Sequence, residues 1–221
     1  SDVGFRRLCF DNGASLTWTE MIYASDLVRR APAAVHSIDT HDADMLTGVQ
    51  IVVDRTAARH RHGVDTLRAA LEALEEGAAT HSPHWRNIRA VDLNFGCPAP
   101  GLAKRGAGPS MLRRRSKVGR LFEALNEWRS TTSLDIGAVG AKIRLGLNER
   151  EQQFQVFLCA TGIRTLVSQT HCLVWAEPRV ATLPMSPEAT HGNDGRFQCR
   201  DRPVAEAAIG SLDYIAVHAR H

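Results

Sequence analysis

The sequence predicts an α/β fold built on a parallel sheet, and three observations carry that expectation. Short apolar or β-branched runs alternate with amphipathic helical stretches, the order a parallel sheet requires. The stretch Asp92 to Gly108, DLNFGCPAPGLAKRGAG, breaks a strand at Gly96 and displays Cys97 at the bend, ahead of a Gly/Pro-rich loop that carries Lys104 and Arg105. Loops that follow a parallel strand are where α/β proteins usually keep their chemistry. A length of 221 residues is enough for one large domain with a sizeable core.

Taken in order, the chain opens with Phe5, Leu8 and Cys9 at helical spacing behind Ser1 or Asp2 as N-cap. Gly13 ends that helix, and Leu16 to Met21 reads as a strand. The polar segment Ser25 to Thr47 holds helical stretches broken at Pro32. Val49 to Val53, VQIVV, is a buried strand, and Val64 to Glu76 is a helix with Leu67, Leu71 and Leu74 on one stripe. Thr80 to Asn87 is a loop before the strand Ile88 to Phe95.

Beyond the central loop, Met111 to Trp128 is a helix, strongly basic on one side, and Gly137 to Leu145 contains the next strand. At a strand period of two, Lys142 and Arg144 share one face while Ile143 and Leu145 take the other, so two cations point at an anion or a polarised carbonyl. Residues 148–202 read as an irregular insertion or long loop. Within and just after it, Phe154 to Thr165 suits helix and turn, Leu166 to Trp175 has strand character, and Val204 to Ile209 is a short helix. Tyr214 to His218, YIAVH, is the last strand.

Composition bounds the function. Hydrophobic residues make up 43% and charged residues 23%, which excludes a disordered or fibrous chain. A formal net charge of +3 is too small to argue for a nucleic-acid partner, so local charge distribution decides. The cysteine count is odd, without repeating spacing or a CxxC pair, and the histidines show no ligand spacing, so neither a disulfide framework nor a metal site is expected. No apolar run is long enough to span a membrane, and no signal peptide is seen. The expectation is a soluble protein of a reducing compartment. That points to the cytoplasm, with a mitochondrial address left open because any targeting peptide would precede Ser1.

NFGCP followed by KRGAG, then KIRLG, then VHAR, preceded by FRRLC and TEM, resembles the tRNA-dihydrouridine synthase family, with the blocks in the family's order. The resemblance covers most of residues 1–147 and returns at about 204–221. It implies a flavin-binding (β/α)8 TIM barrel, here incomplete at about strands 2 to 6 and spanning 1–221, with a divergent insertion at 148–202. The family's first strand would lie before Ser1. The phosphate-holding loops and the helical domain that helps to grip tRNA would lie beyond His221.

The implied reaction is reduction of the C5–C6 bond of a uridine in tRNA, with FMN and NADPH as cofactors. The resemblance makes Cys97 the catalytic proton donor to C5. It gives Gln50, Lys142 and His218 to the flavin, and Asn94 and Arg144 to the target base or the flavin edge. Lys104 and Arg105, with Arg113, Arg114, Arg115, Lys117 and Arg120, make a cationic surface suited to tRNA phosphates, although such a run also suits a solvated helix face. Two alternatives stay open: a non-catalytic RNA-binding remnant, and a flavin barrel reducing a free pyrimidine.

Overall fold

A computed structural model describes residues 1–40, 45–54 and 63–144, together with four strand segments further along the chain. Helix α1 (Val3–Asp11) starts where Asp2 accepts the Phe5 N–H at 2.9 Å, so Asp2 is the N-cap. Strand β1 (Thr17–Tyr23) leads into α2 (Ala24–Val28), and Pro32 opens α3 (Pro32–Ile38) at a position where its missing N–H costs nothing. Then come β2 (Thr47–Val52), α4 (Gly63–Thr80), β3 (Ile88–Phe95), α5 (Pro100–Lys104), α6 (Arg115–Thr131) and β4 (Ala138–Arg144).

Two boundaries differ from the expectation. The segment read as loop from Thr80 to Asn87 includes the end of α4 and a 3-10 turn, Pro83–Asn87. Ser82 caps that turn by accepting the His84 N–H at 3.3 Å. The basic helix begins at Arg115 rather than Met111, because Pro109 sets a separate 3-10 turn, Gly108–Arg113, ahead of it.

Strands β1, β2, β3 and β4 are parallel neighbours in that order. The sheet continues through β8 (Tyr214–His218) to β5 (Leu173–Ala176), also parallel. The strand that follows β4 in sequence is therefore not its neighbour in space: the VHAR strand is, and β5 lies beyond it. Two short strands, β6 (Thr190–His191) and β7 (Phe197–Gln198), form a separate antiparallel pair. The rest of 148–202, with the expected helices Phe154 to Thr165 and Val204 to Ile209, lies outside the described residues. The architecture is α/β, a partial TIM barrel.

Parity along the strands separates two faces. Val49 and Ile51, Val91, Leu93 and Phe95, and Val139, Ala141 and Ile143 point to one side and are buried against α4 and α6. Helix α4 supplies Leu67, Leu71 and Leu74 to that core, the stripe expected from their spacing, and α6 supplies Phe122 and Leu125. The other face is polar, carrying Gln50, Asp92, Asn94 and Lys142. Arg6 of FRRLC lies fully buried and donates to Thr47 Oγ1 at 3.3 Å and to the carbonyls of Ser37 at 2.6 Å and Asp39 at 3.2 Å. Burial pushes its guanidinium down from the ordinary arginine value.

Candidate active site

The polar face and the carboxyl ends of the strands meet at Cys97. Its position is set by the residue three before it. Asn94 Oδ1 accepts the N–H of Gly96 at 3.1 Å and of Cys97 at 3.0 Å, closing an Asx-type turn at the end of β3. The Asn94 amide nitrogen donates to Gln50 Oε1 at 2.6 Å, across to β2. Asn94 is only 6% exposed, and its oxygen and one amide N–H are committed inside the protein. The expectation that this amide reads a uracil edge then rests on its second N–H. Gln50 keeps its own side-chain nitrogen as a donor, since only its oxygen is used by Asn94.

Glycine is needed at two points of this loop. A Cβ on Gly96 would meet the carbonyl of Ile143 in β4 at 3.3 Å, so the bend hugs the neighbouring strand. Gly108 has φ +59, and a Cβ there would come within 2.9 Å of the Cys97 carbonyl oxygen. The loop returns on itself directly behind the thiol. Cys97 is half-buried and free, and packs with Met21 and Tyr23 against a small buried cluster of Val52, Leu102 and Ala107.

Lys142 is half-buried on β4 and stands opposite Asn94 in the ladder. The register then sets Arg144 opposite His218 of β8, two positions further toward the carboxyl edge. One side of the sheet thus collects the backbone positions of Gln50, Asn94, Lys142, Arg144 and His218, and Cys97 sits at its rim. The side chains of Arg144 and His218 lie outside the described ones. Lys104 is exposed at the end of α5. Arg105 is exposed too, its side chain 48% accessible, but it reaches back to the sheet: its Nη1 is 3.6 Å from Asp54 Oδ2, and its guanidinium lies 4.9 Å over the Tyr23 ring.

Sequence reasoning passed over Asp92, Asp54 and Tyr23. Asp92 is 3% exposed on the same face as Asn94. A carboxylate inside the apolar run VDLNF was the available signal. Asp54 and Tyr23 follow or end strands as ordinary residues do, and no spacing singles them out. Among the described residues no group of three His, Cys, Asp or Glu is placed to hold a metal, and no helix is long and apolar enough to cross a membrane.

A family model described as dihydrouridine synthase matches residues 1–172. Over 154 residues the chain is 29% identical to tRNA-dihydrouridine(47) synthase [NAD(P)(+)] of Neurospora crassa, covering 67% of this chain and 20% of that protein. Over 158 residues it is 31% identical to the Aspergillus oryzae protein of the same name, with the same coverage of 67% and 20%. Over 157 residues it is 31% identical to a Mycobacterium tuberculosis H37Rv protein named "Probable tRNA-dihydrouridine synthase", covering 67% of this chain and 35% of that protein. The chain spans a minor part of the length of each relative.

Proposed function

Because the chain belongs to the dihydrouridine synthase family, we propose that it forms the central part of a catalytic barrel that reduces uridine in tRNA to dihydrouridine. The observation that carries this reading is the Asn94-closed turn, which holds the Cys97 thiol at the rim of a polar strand face. A thiol held at a sheet's carboxyl edge is a suitable acid, because sulfur gives up a proton readily near neutral pH.

The residues present suit a flavin, with NADPH as its reductant. Gln50 offers an amide donor to a ring carbonyl or nitrogen, Lys142 offers a cation beside it, and the surrounding face is polar. His218 and Arg144 occupy the next ladder positions toward the edge. When bound, FMN supplies the hydride that adds at C6 of the uracil. Cys97 then gives its Sγ proton to C5, and the thiolate regains a proton from solvent. Lys142 stabilises negative charge that develops next to it. Met21 and Tyr23 of β1, packed at the Cys97 cluster, limit water at the thiol.

Exposed Lys104, Arg114 and Arg120 supply the electrostatic approach surface for tRNA phosphates. The insertion at 148–202 belongs to the same barrel domain in this reading, because the strand that follows it pairs directly with β4.

Visible absorption of the purified chain, with and without added FMN, tests the proposal. A flavin band that stays with the protein through gel filtration is expected, and loss of dihydrouridine formation in Cys97→Ala follows from it. A folded chain that retains no flavin but binds tRNA would instead be the non-catalytic RNA-binding form. Reduction of free uracil in place of tRNA would make it a pyrimidine reductase.

A further inference from the structure

We infer that Arg105 is a positioning residue for Cys97, acting through Asp54 and Tyr23, and that it is not a contact for RNA. The inference rests on the proposed role of Cys97, and it is carried by how the loop between β3 and the basic helix is fastened.

That loop has two kinds of attachment. Leu102 and Ala107, 1% and 0% exposed, sit on Val52, and the Ala107 N–H closes on the Leu102 carbonyl at 3.0 Å. Apolar contact of so few side chains is non-directional and lets a loop slide. The charged attachment is Arg105. Its guanidinium approaches Asp54 Oδ2 at 3.6 Å and stacks over Tyr23 at 4.9 Å. The Asp54 side chain is only 5% exposed, so water does not readily replace a cation beside it. A planar guanidinium can serve a carboxylate at its edge and a ring at its face together, which an ammonium cannot.

The three residues come from three successive strand ends. Tyr23 closes β1, Asp54 follows β2, and Arg105 belongs to the loop after β3. Joined, they hold the returning half of the Cys97 loop against the sheet edge. Gly108, three residues on, then abuts the Cys97 carbonyl. Both Lys104 and Arg105 are exposed, Arg105 at 48% of its side chain, but only Arg105 has a buried carboxylate beside it from which a phosphate would have to draw it.

Alkylation of Cys97 by iodoacetamide, followed on its own peptide by mass spectrometry with the Cys9 peptide as internal control, reads the clasp without flavin or tRNA. Arg105→Ala and Asp54→Asn are expected to speed Cys97 labelling about tenfold, with Arg105→Lys in between and Cys9 unchanged. Tyr23→Leu, which leaves the ion pair and removes the stack, is expected to speed it about threefold. Unchanged Cys97 rates overturn the inference, and so does a parallel rise of Cys9, which would mean general loosening. With tRNA as substrate, Arg105→Ala should lower kcat and leave KM within about twofold. A raised KM at unchanged kcat would make Arg105 an RNA contact. Because labelling needs no turnover, an inactive wild-type protein would sink the proposed function and leave the clasp to be judged on its own.

Discussion

Asn94 Oδ1 lies 3.0 Å from the backbone nitrogen of Cys97, so Asn94 spends its acceptor on the backbone that carries the thiol. Replacing Asn94 by Ala removes the acceptor for two N–H groups and the donor to Gln50. The thiol then loses its fixed placement, and a displacement of an ångström costs about a hundredfold in rate. Asn94→Asp keeps the acceptor and loses only the donor, so it should retain more activity than Asn94→Ala. Dihydrouridine content of tRNA after timed incubation measures both.

For Cys97 itself the expectation is a split between half-reactions. Cys97→Ala should leave reduction of bound flavin by NADPH unchanged, since the thiol is assigned only to the uracil carbon. Formation of dihydrouridine should fall by about 10²–10⁴-fold, the usual worth of a positioned acid. Stopped-flow bleaching of the flavin and the tRNA assay separate the two. Equal loss in both would remove Cys97 from the role of proton donor.

Much of this was legible in the residues. The alternating elements, the helical leucine stripe of α4 and the display of Cys97 follow from periods and turn chemistry that act locally. What escaped depends on contacts between distant segments. Arg105 reads as a solvent-facing cation in KRGAG until the fold brings Asp54 and Tyr23 beneath it. The order of β8 and β5 was equally hidden, because nothing in a short apolar run states which neighbour it will take.

Gly77 should resist substitution although it lies inside a helix. Alanine there gains about 1 kcal/mol of helix propensity. Its methyl, however, would run into the Trp85 ring, which is 3% exposed and fixed by donating from Nε1 to Asp39 Oδ1 at 2.7 Å. A ring so held cannot step aside, and overpacking of this kind costs about 1–3 kcal/mol. Gly77→Ala is therefore expected to lower the urea midpoint despite the better helix former. A raised midpoint would show that the indole moves freely.

Glu75 gives a pH-dependent contribution with a definite sign. Its carboxylate accepts both the N–H and the hydroxyl of Ser133 at 2.7 Å. The Ser133 backbone N–H holds the carboxyl below the usual glutamate value, against the opposing effect of burial. A group whose folded value is depressed adds stability above its unfolded value, about 4.3, and loses it as pH falls through the folded value. Glu75→Gln should therefore cost about 0.5 kcal/mol at pH 7, the site being solvent-screened, and less near pH 3. Urea unfolding of both proteins at the two pH values checks this.

The basic start of α6 offers the clearest test of an RNA surface. Arg114 and Arg120 are exposed there, and Lys104 is exposed on the loop beside it. If they meet phosphates, replacing one by Ala should weaken tRNA binding at every sequence alike and reduce the slope of log affinity against log salt by about 0.7–0.9. A solvated helix face would leave that slope unchanged. Arg105→Ala provides the internal contrast: if the inferred clasp to Asp54 and Tyr23 holds its guanidinium, the slope should stay as it was. Titrations of tRNA at four or five salt concentrations would then sort the neighbouring cations Lys104 and Arg105 by role.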